Sequence, residues 1–395
     1  MARVLEGIRV LDFGRFVACP FAGQVLSQMG AEVIRVERPG GEEDRTMGLV
    51  AADGENFMYK NMSCNKKDIT LDVTKDKGKE ILRELVKRSD IVMENFSPEA
   101  AQSLGITYEE MKKIRSDIIF VKVSSFGTTG PYARRVGFDP IGQAISGAMY
   151  LSGIPEGPPI RSIVAYVDYS TALSAALGAM FALYHRDKTG QGQMIDVNLM
   201  QTAVTFTAFY VSELVAGGRG RTQIGNRSYF TGPSDLYKAK DGWVFINAVT
   251  NSLWRRMARL IGREDLIKDP RLQTDLARFE HRELIDPLVE KWAAQRTVAE
   301  IVEALDKARL PCGACYSLEQ VWNDPQVKAR QMLLELDFPK VGKVPVQGPH
   351  IVLSETPGAV STPAPALGQH NQEIYGRLLG FSKSKIEELT KDGIF

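Results

Sequence analysis

The chain has 395 residues, 44% of them hydrophobic and 25% charged, which is ordinary for a globular protein and enough for two domains. Its 49 Lys and Arg residues balance 48 Asp and Glu residues, so no overall field favours nucleic acid or an anionic membrane as a partner. Four scattered cysteines exclude a disulfide scaffold. Neither an apolar signal segment after Met1 nor a run of about 18 apolar residues stands out, so we expect a cytoplasmic protein with no membrane partner.

Residues 8–123 alternate between short apolar runs and amphipathic stretches. The pattern predicts strands at 8–13, 32–37, 69–71, 91–94 and 118–123, separated by helices at 21–29, 77–88, 99–103 and 108–115. Such alternation is typical of an α/β fold with a Rossmann-like parallel sheet. No G-x-G-x-x-G follows the first strand and no Walker A sequence occurs, so neither hydride transfer from a dinucleotide nor NTP hydrolysis has motif support.

The rest of the chain predicts a second, smaller domain. Apolar helices at 139–151, 169–185 and 199–215 and a strand at 194–197 complete a large domain over 1–215, and a Gly- and Arg-rich stretch at 216–227 reads as a linker. Residues 228–326 predict an α+β domain with a hairpin strand at 241–249 and helices at 253–261, 283–294 and 298–308. In the last segment, 327–395, an extended stretch at 342–365 precedes helices at 371–379 and 383–390.

Asp168 stands between the apolar run 163–167 and a helix whose small apolar residues recur at i, i+3 and i+4. An Asp followed by Ser170 and Thr171 at such a boundary is an ordinary N-cap. A carboxylate at the head of a helix in apolar surroundings is also suited to act as a nucleophile. The pattern alone leaves both interpretations open.

Six motifs, in order along nearly the whole chain, resemble the family III CoA-transferases, which include formyl-CoA and carnitine CoA-transferases and the α-methylacyl-CoA racemases. Besides the Asp168 segment at 153–201, they are LEGIRVLDFGRFVACPFAGQVLSQMGAEVIRVERPG at 5–40, CNKKDITLD at 64–72, ENFSP at 94–98, SSFGTTGPY at 124–132 and ALGQHN at 366–371. The resemblance implies a large CoA-binding domain to which the C-terminal segment returns. It also implies an interlocked homodimer, or a hetero-oligomer with a homologous subunit.

The resemblance places Asp168 at the position of the carboxylate that attacks the acyl-CoA thioester. Coenzyme A would then be a substrate, with no permanently bound cofactor and no metal. An aspartate with an ordinary pKa of about 3.9 would be ionised at neutral pH. The implied partners are an acyl-CoA, for which we favour succinyl-CoA, and a carboxylic acid.

Residues that match CoA contacts in the family lie at the ends of the five predicted strands or in the loops that follow them. The match places nothing cationic at Thr74 or Ser103, where formyl-CoA transferase has Lys and Arg, although Lys75 is adjacent to Thr74. Arg15 and Tyr166, with the 216–227 loop, are candidates for the acyl pocket. The expected CoA-binding residues are Arg15, Val17, Ala18, Arg38, Leu71, Lys75, Asn95, Phe96, Ser124 and Phe126.

One departure from the family separates two activities. Racemases carry a His where this chain has Phe138, and two-base racemisation needs an acid–base group on each face of the substrate. Transfer is therefore favoured over racemisation, which stays an alternative together with a non-catalytic CoA-binding subunit. Cys312 and Cys315 form a C-x-x-C without a second ligand pair, so we expect no zinc or redox role.

Overall fold

The computed structural model describes residues 3–395, which divide into two compact units. The first unit comprises the residues up to Met149, Arg161–Arg219 and Pro325–Phe395. The second comprises Tyr150–Ile160 and Gly220–Asp324. The first unit is therefore assembled from three separate stretches of the chain.

The first unit is built on six parallel strands in the order β3-β2-β1-β4-β5-β6. This order, which reverses direction between β1 and β4, is that of the doubly wound Rossmann sheet, so the predicted α/β fold is confirmed. The strands are β1 (Arg9–Asp12), β2 (Glu32–Glu37), β3 (Lys67–Thr70), β4 (Ile91–Glu94), β5 (Ile119–Ser124) and β6 (Met194–Asn198).

Successive side chains of these strands enter two different cores, as the pleat requires. Val10 and Val121 pack in one core with the helices that begin at Ala18 and Tyr166, whereas Leu11 and Phe120 pack in the other with the helices that begin at Asp76 and Tyr108. The helices up to residue 217 are α1 (Ala18–Gln28), α2 (Phe57–Met62), α3 (Asp76–Val86), α4 (Pro98–Leu104), α5 (Tyr108–Ile114), α6 (Asp139–Ile145), α7 (Ala148–Leu151), α8 (Tyr166–Thr189) and α9 (Leu199–Gly217).

Two predicted helices differ from the structure in ways that bear on the site, whereas the other predicted helices lie within three residues of the observed bounds. The single helix predicted at 139–151 is two, α6 and α7, because Gly147 between them has a φ of +84°. The helix predicted at 169–185 begins three residues earlier, at Tyr166, so Asp168 lies inside its first turn.

The second unit contains an antiparallel sheet in the order β7-β8-β9, covered by helices around a core that includes Trp254 and Trp292. Its elements are β7 (Ser234–Lys238), β8 (Trp243–Asn247), α10 (Thr250–Leu260), α11 (Asp275–Glu280), α12 (Asp286–Ala294), α13 (Val298–Lys307), β9 (Cys312–Ala314) and α14 (Leu318–Asn323).

The last stretch of the first unit covers the edge of the sheet at β3. The outward N–H and C=O groups of Asp68 bond to the Nδ1 atom and the N–H of His370, and those of Thr70 bond to the Asn371 and Tyr375 side chains. An otherwise open edge is thereby satisfied. The elements of this stretch are α15 (Pro325–Ala329), β10 (Leu333–Phe338), β11 (Gly342–Gln347), α16 (Asn371–Leu379) and α17 (Lys383–Lys391).

Within residues 3–395, one helix, α9, has the length and apolar composition of a membrane span, which the sequence analysis did not anticipate. Its first turns pack into the core through Leu199 and Ala203, whereas Phe206, Phe209 and Val215 are exposed. One such helix is weak support for a membrane protein.

Candidate active site

A cavity of about 630 Å³ lies beyond the carboxyl ends of β1, β4 and β5. This is where the strand order reverses, the usual ligand site of a doubly wound sheet. Seven of the eleven predicted site residues line it: Asp168, Arg15, Val17, Ala18, Asn95, Phe96 and Ser124.

The Asp168 carboxyl lines this cavity and accepts no hydrogen bond from any residue between 3 and 395. Asp168 does not cap α8, because the N-cap position is Ala165 and no side chain of the helix serves as a cap. The N-cap interpretation of Asp168 is therefore wrong. The side chain is left available for a ligand in the cavity.

The first turn of α8 is held instead by Asp139, the first residue of α6. Asp139 Oδ2 accepts the N–H groups of Val167 at 2.9 Å and of Asp168 at 3.2 Å. Gln143, one turn along α6, donates to the other Asp139 oxygen and receives the Ser162 N–H at 2.9 Å. Sequence reasoning missed Asp139, although an Asp-Pro pair opening a helix is a recognisable signal.

Burial raises the pKa of Asp168 to about 7, and the nearby Asp139 carboxylate adds to the rise. The expectation of an ordinary aspartate, fully ionised at neutral pH, is therefore wrong for the ligand-free site. The cause is desolvation, because the side chain lies in a partly closed cavity and neither a hydrogen-bond donor nor a cation lies close enough to the carboxyl to compensate. A carboxylate that is poorly solvated is also a stronger nucleophile than one in water.

The turn after β1 brings the first wall of the cavity into place. The Gly14 N–H donates to Asp12 Oδ1 at 2.8 Å, and Asp12 Oδ2 receives the buried Lys66 ammonium at 2.7 Å. A Cβ on Gly14 would lie 2.7 Å from Asp12 Oδ1, so only glycine fits this turn. The turn delivers Arg15 and Val17 to the cavity, and α1 begins directly after Val17.

The backbone of Arg15 is held by hydrogen bonds from the loop that follows β4. The Asn95 side chain accepts the Arg15 N–H and donates to the Arg15 carbonyl, both at 2.9 Å. The Arg15 guanidinium lies 5.0 Å from the centre of the Phe96 ring and pairs with Glu42 at 2.8 Å. Arg15, Asn95 and Phe96, predicted separately, therefore form one continuous wall.

Beneath this wall lies a buried ion pair that sequence reasoning missed. Lys122 on β5 and Glu94 at the end of β4 are neighbours across the sheet, with Lys122 Nζ 2.8 Å from Glu94 Oε1. Burial raises the pKa of Glu94 to about 7, against the opposing effect of Lys122. A single Lys within an otherwise apolar strand was the signal available in the sequence.

Aromatic and cationic side chains complete the lining. Phe16, which has a φ of +65°, meets Phe138 edge to face at 5.3 Å between ring centres. The strained Phe16 backbone is held by its N–H bond to Asp44 at 3.0 Å. Two further arginines, Arg134 and Arg135, line the cavity and follow the SSFGTTGPY motif.

Four predicted CoA-binding residues lie outside the cavity lining. Leu71 is buried in the core, and the Lys75 ammonium donates to the carbonyls of Asp392 and Gly393. Arg38 is about half exposed and shares Glu42 and Glu43 with Arg15. Phe126 packs edge to face against the ring of Tyr132, at 5.8 Å, beside residues that do line the cavity.

The cysteines form no joint site in the part of the chain that is described. Cys19 is fully buried, which raises the pKa of its thiol well above the usual range. Cys312 and Cys315 are free thiols at and just beyond β9, where residues three apart point to opposite faces of the strand. Residues 3–395 contain no group of three His, Cys, Asp or Glu side chains arranged to hold a metal.

Comparisons with known proteins agree with one another. The family model described as CoA-transferase family III matches residues 5–371. The chain is 36% identical to the succinyl-CoA–D-citramalate CoA-transferase of Chloroflexus aurantiacus, over 98% of this chain and 97% of that protein. It is 32% identical to the beta subunit of the succinyl-CoA–L-malate CoA-transferase of the same organism, over 98% of this chain and 96% of the subunit.

A solved structure extends the likeness to the whole fold. A CaiB/BaiF family protein from Brucella suis has a TM-score of 0.84 and 31% identity, covering 96% of this chain and 100% of that chain. The similarity therefore includes nearly every element around the cavity as well as the sheet beneath it.

Proposed function

This chain belongs to the family III CoA-transferases, enzymes that use acyl-CoA thioesters and carboxylic acids, and from this premise we propose that it takes CoA from succinyl-CoA and passes it to a carboxylic acid through covalent intermediates on Asp168. The observation that carries the proposal is the Asp168 carboxyl, which lines the cavity, is bound by no donor in residues 3–395, and stands on a backbone fixed by Asp139.

In the proposed reaction, an oxygen of ionised Asp168 attacks the thioester carbonyl carbon and the C–S bond breaks. The products are a mixed anhydride and the CoA thiolate. The thiolate attacks the Asp168 carbonyl carbon, which releases the first acid as a carboxylate and leaves an aspartyl-CoA thioester.

The acceptor carboxylate then repeats the sequence. It attacks the aspartyl thioester to give a second mixed anhydride and the thiolate, and the thiolate attacks the acceptor's carbonyl carbon. The new acyl-CoA leaves and the Asp168 carboxylate is regenerated. Every intermediate is activated, so no ATP is consumed, but water must be kept from the anhydrides.

The cavity lining supports a ligand with several negative charges. Arg15, Arg134 and Arg135 contribute cations, and Phe96 contributes an apolar face. Charged donors suit phosphates and carboxylates, and apolar walls suit the pantetheine arm. We propose that Arg15, Val17, Ala18, Asn95, Phe96 and Ser124 contact CoA, with exposed Arg38 beside Arg15 reaching its phosphates.

Succinyl-CoA is proposed as donor because two relatives at 36% and 32% identity are named for it. Their acceptors, citramalate and malate, are hydroxylated dicarboxylates. A screen of dicarboxylic and monocarboxylic acceptors against succinyl-CoA and acetyl-CoA would identify the pair.

The direct test mixes the protein with succinyl-CoA, traps the adduct with hydroxylamine or borohydride, and locates it by peptide mass spectrometry. We expect the label on Asp168, none in Asp168→Ala, and an unchanged yield in Asp187→Ala, a control on the exposed end of the same helix. An unlabelled Asp168 together with full activity of Asp168→Ala would refute the mechanism. Solvent deuterium entering the acyl α-carbon without an acceptor acid would indicate racemisation instead.

We further propose that a second copy of this chain, or a homologous subunit, covers the exposed apolar side chains of α8 and α9. Exposed apolar side chains that recur along neighbouring helices are typical of a surface that another chain covers. Light scattering should give a dimer that Phe181→Asp weakens, and activity that appears only on mixing with another subunit would identify a hetero-oligomer. The exposed apolar side chains of α8 and α9 are Leu173, Leu177, Phe181, Tyr184, Phe206, Phe209, Val211, Leu214 and Val215.

A cytoplasmic location of the protein stays a prediction.

A further inference from the structure

The ion pair between Glu94 and Lys122 is an expensive feature to place inside a sheet. The Glu94 and Lys122 side chains are 1% and 8% exposed, and their charged atoms approach to 2.8 Å. Replacing such a buried pair by apolar side chains of similar size is often neutral or even stabilising. Fold stability alone therefore does not account for a Lys and a Glu at these positions, and their other contacts are informative.

The pair holds both peptide groups of Phe96. The Phe96 N–H donates to Glu94 Oε2 at 2.6 Å, and Lys122 Nζ donates to the Phe96 carbonyl at 2.7 Å. Lys122 Nζ also reaches Glu94 Oε2 at 3.0 Å, so its donors are used inside the protein rather than on a ligand. The backbone of the loop after β4 is thus fixed by two charge-assisted bonds.

What this loop carries is one wall of the cavity. Asn95 brackets the Arg15 backbone with two hydrogen bonds of 2.9 Å, and the Phe96 ring lies 5.0 Å from the Arg15 guanidinium. The contacts therefore run without a break from the buried pair, through Phe96 and Asn95, to Arg15. All five residues line the cavity that contains Asp168.

We propose that Glu94 and Lys122 are positioning residues for acyl-CoA: the ion pair keeps the wall formed by Asn95, Phe96 and Arg15 in its binding geometry before the ligand arrives. The proposal rests on the proposed function, because it takes this wall to be the CoA-binding surface. A preformed wall reduces the ordering cost of binding. Loss of the pair should therefore weaken acyl-CoA binding and leave the chemistry at Asp168 largely intact.

The test is the double variant Glu94→Leu with Lys122→Met, which removes both charges together and leaves neither one unpaired. We expect KM for acyl-CoA, and the Kd of free CoA by calorimetry, to rise about tenfold, because two charge-assisted bonds to the loop are lost. The rate constant of adduct formation on Asp168 at saturating acyl-CoA should stay within about threefold, and KM for the acceptor acid should not change. A purely structural pair would lower Tm without this split.

Two further variants keep the proposal falsifiable. Arg282→Met with Asp286→Leu removes a matched buried pair of the second unit, 2.6 Å apart, and should leave KM for acyl-CoA unchanged. Glu94→Gln keeps the volume of the side chain but removes its charge and leaves one acceptor oxygen for both the Phe96 N–H and Lys122, so it should raise that KM by about threefold even if the double variant does not fold. Folded Glu94 variants with unchanged KM and Kd would overturn the proposal, whereas absence of an adduct in the wild type would instead overturn the role of Asp168.

Discussion

Replacing Asp168 by Asn should stabilise the ligand-free protein at neutral and alkaline pH. The carboxyl is desolvated, lies near Asp139 and receives no hydrogen bond from the described residues, so its ionised form is penalised by the fold. Asn has nearly the same shape and carries no charge at any pH. The substitution therefore removes the free-energy cost of ionising this carboxyl, with little change in packing. Side chains that serve a function commonly lower the stability of the fold.

The magnitude follows from the two pKa values. The folded-state pKa is about 7 and the ordinary value is 3.8, a difference of about 3 units or about 4 kcal/mol. Because the folded-state value is the higher one, the carboxyl contributes stability that is fully present below about pH 4 and is lost as the pH rises through about 7. The loss is about 1.3 kcal/mol per pH unit near pH 5 and about half of that at pH 7, where half of the folded-state carboxyls are ionised, hence about 2 kcal/mol over that interval.

The assay is unfolding by urea and by heat at pH 5, 6, 7 and 8.5, without CoA. The advantage of Asp168→Asn over the wild type should grow by about 2 kcal/mol from pH 5 to pH 7, or by roughly 4 °C in Tm at about 2 °C per kcal/mol, and level off above about pH 8. Asp187→Asn, which removes an exposed carboxylate of the same helix, should show a constant difference. If the two variants give parallel curves, the carboxyl is not desolvated and the description of the site is wrong.

Three other outcomes are expected. The second-order rate constant of adduct formation, measured at succinyl-CoA well below KM, should rise about tenfold per pH unit up to about pH 7 and then level off, because only the ionised Asp168 attacks. A rate constant that is flat from pH 5 to 8 in rapid-quench measurements would contradict this. Phe138→Ala should raise the rate of CoA thiol release without an acceptor acid relative to the rate of CoA transfer, because it opens the contact between the Phe138 and Phe16 rings to water. An unchanged ratio of the two rates would show that this contact does not exclude water. Asp139→Ala leaves the N–H groups of Val167 and Asp168 without their acceptor, so the free energy of unfolding should fall by about 1–3 kcal/mol. The rate of adduct formation should also fall, with little change in KM for acyl-CoA. An unchanged rate would mean that another group fixes the first turn of α8.

The strands of the sheet were predicted from the sequence because each one is a short apolar run, and this local signal does not depend on distant residues. Strands predicted at 32–37 and 91–94 have the same bounds in the structure, and the strand order then places the loops after β1 and β4 side by side. Asp168 was identified by its motif. Its environment was not, because the acceptor that replaces it as a cap, Asp139, lies 29 residues earlier on another helix.

Contacts between residues far apart in the sequence explain the other differences between the prediction and the structure. Lys122 and Glu94 are 28 residues apart, and only the strand register makes them partners. Lys75 was predicted beside CoA from a local match, but its ammonium bonds to carbonyls 317 and 318 residues further on. Pairings of this kind have no local pattern, so a single sequence does not disclose them.

The cover on the β3 edge has a consequence for how the molecule is made. Asp68 and Thr70 leave the ribosome about 300 residues ahead of His370, Asn371 and Tyr375, which occupy their outward backbone groups. Throughout that interval the nascent sheet presents a bare strand to other chains, and closing so long a loop is slow. Growing chains of this protein should therefore be prone to aggregation until the C-terminal segment emerges, and release of a chain truncated before His370 should yield aggregates rather than a smaller folded enzyme.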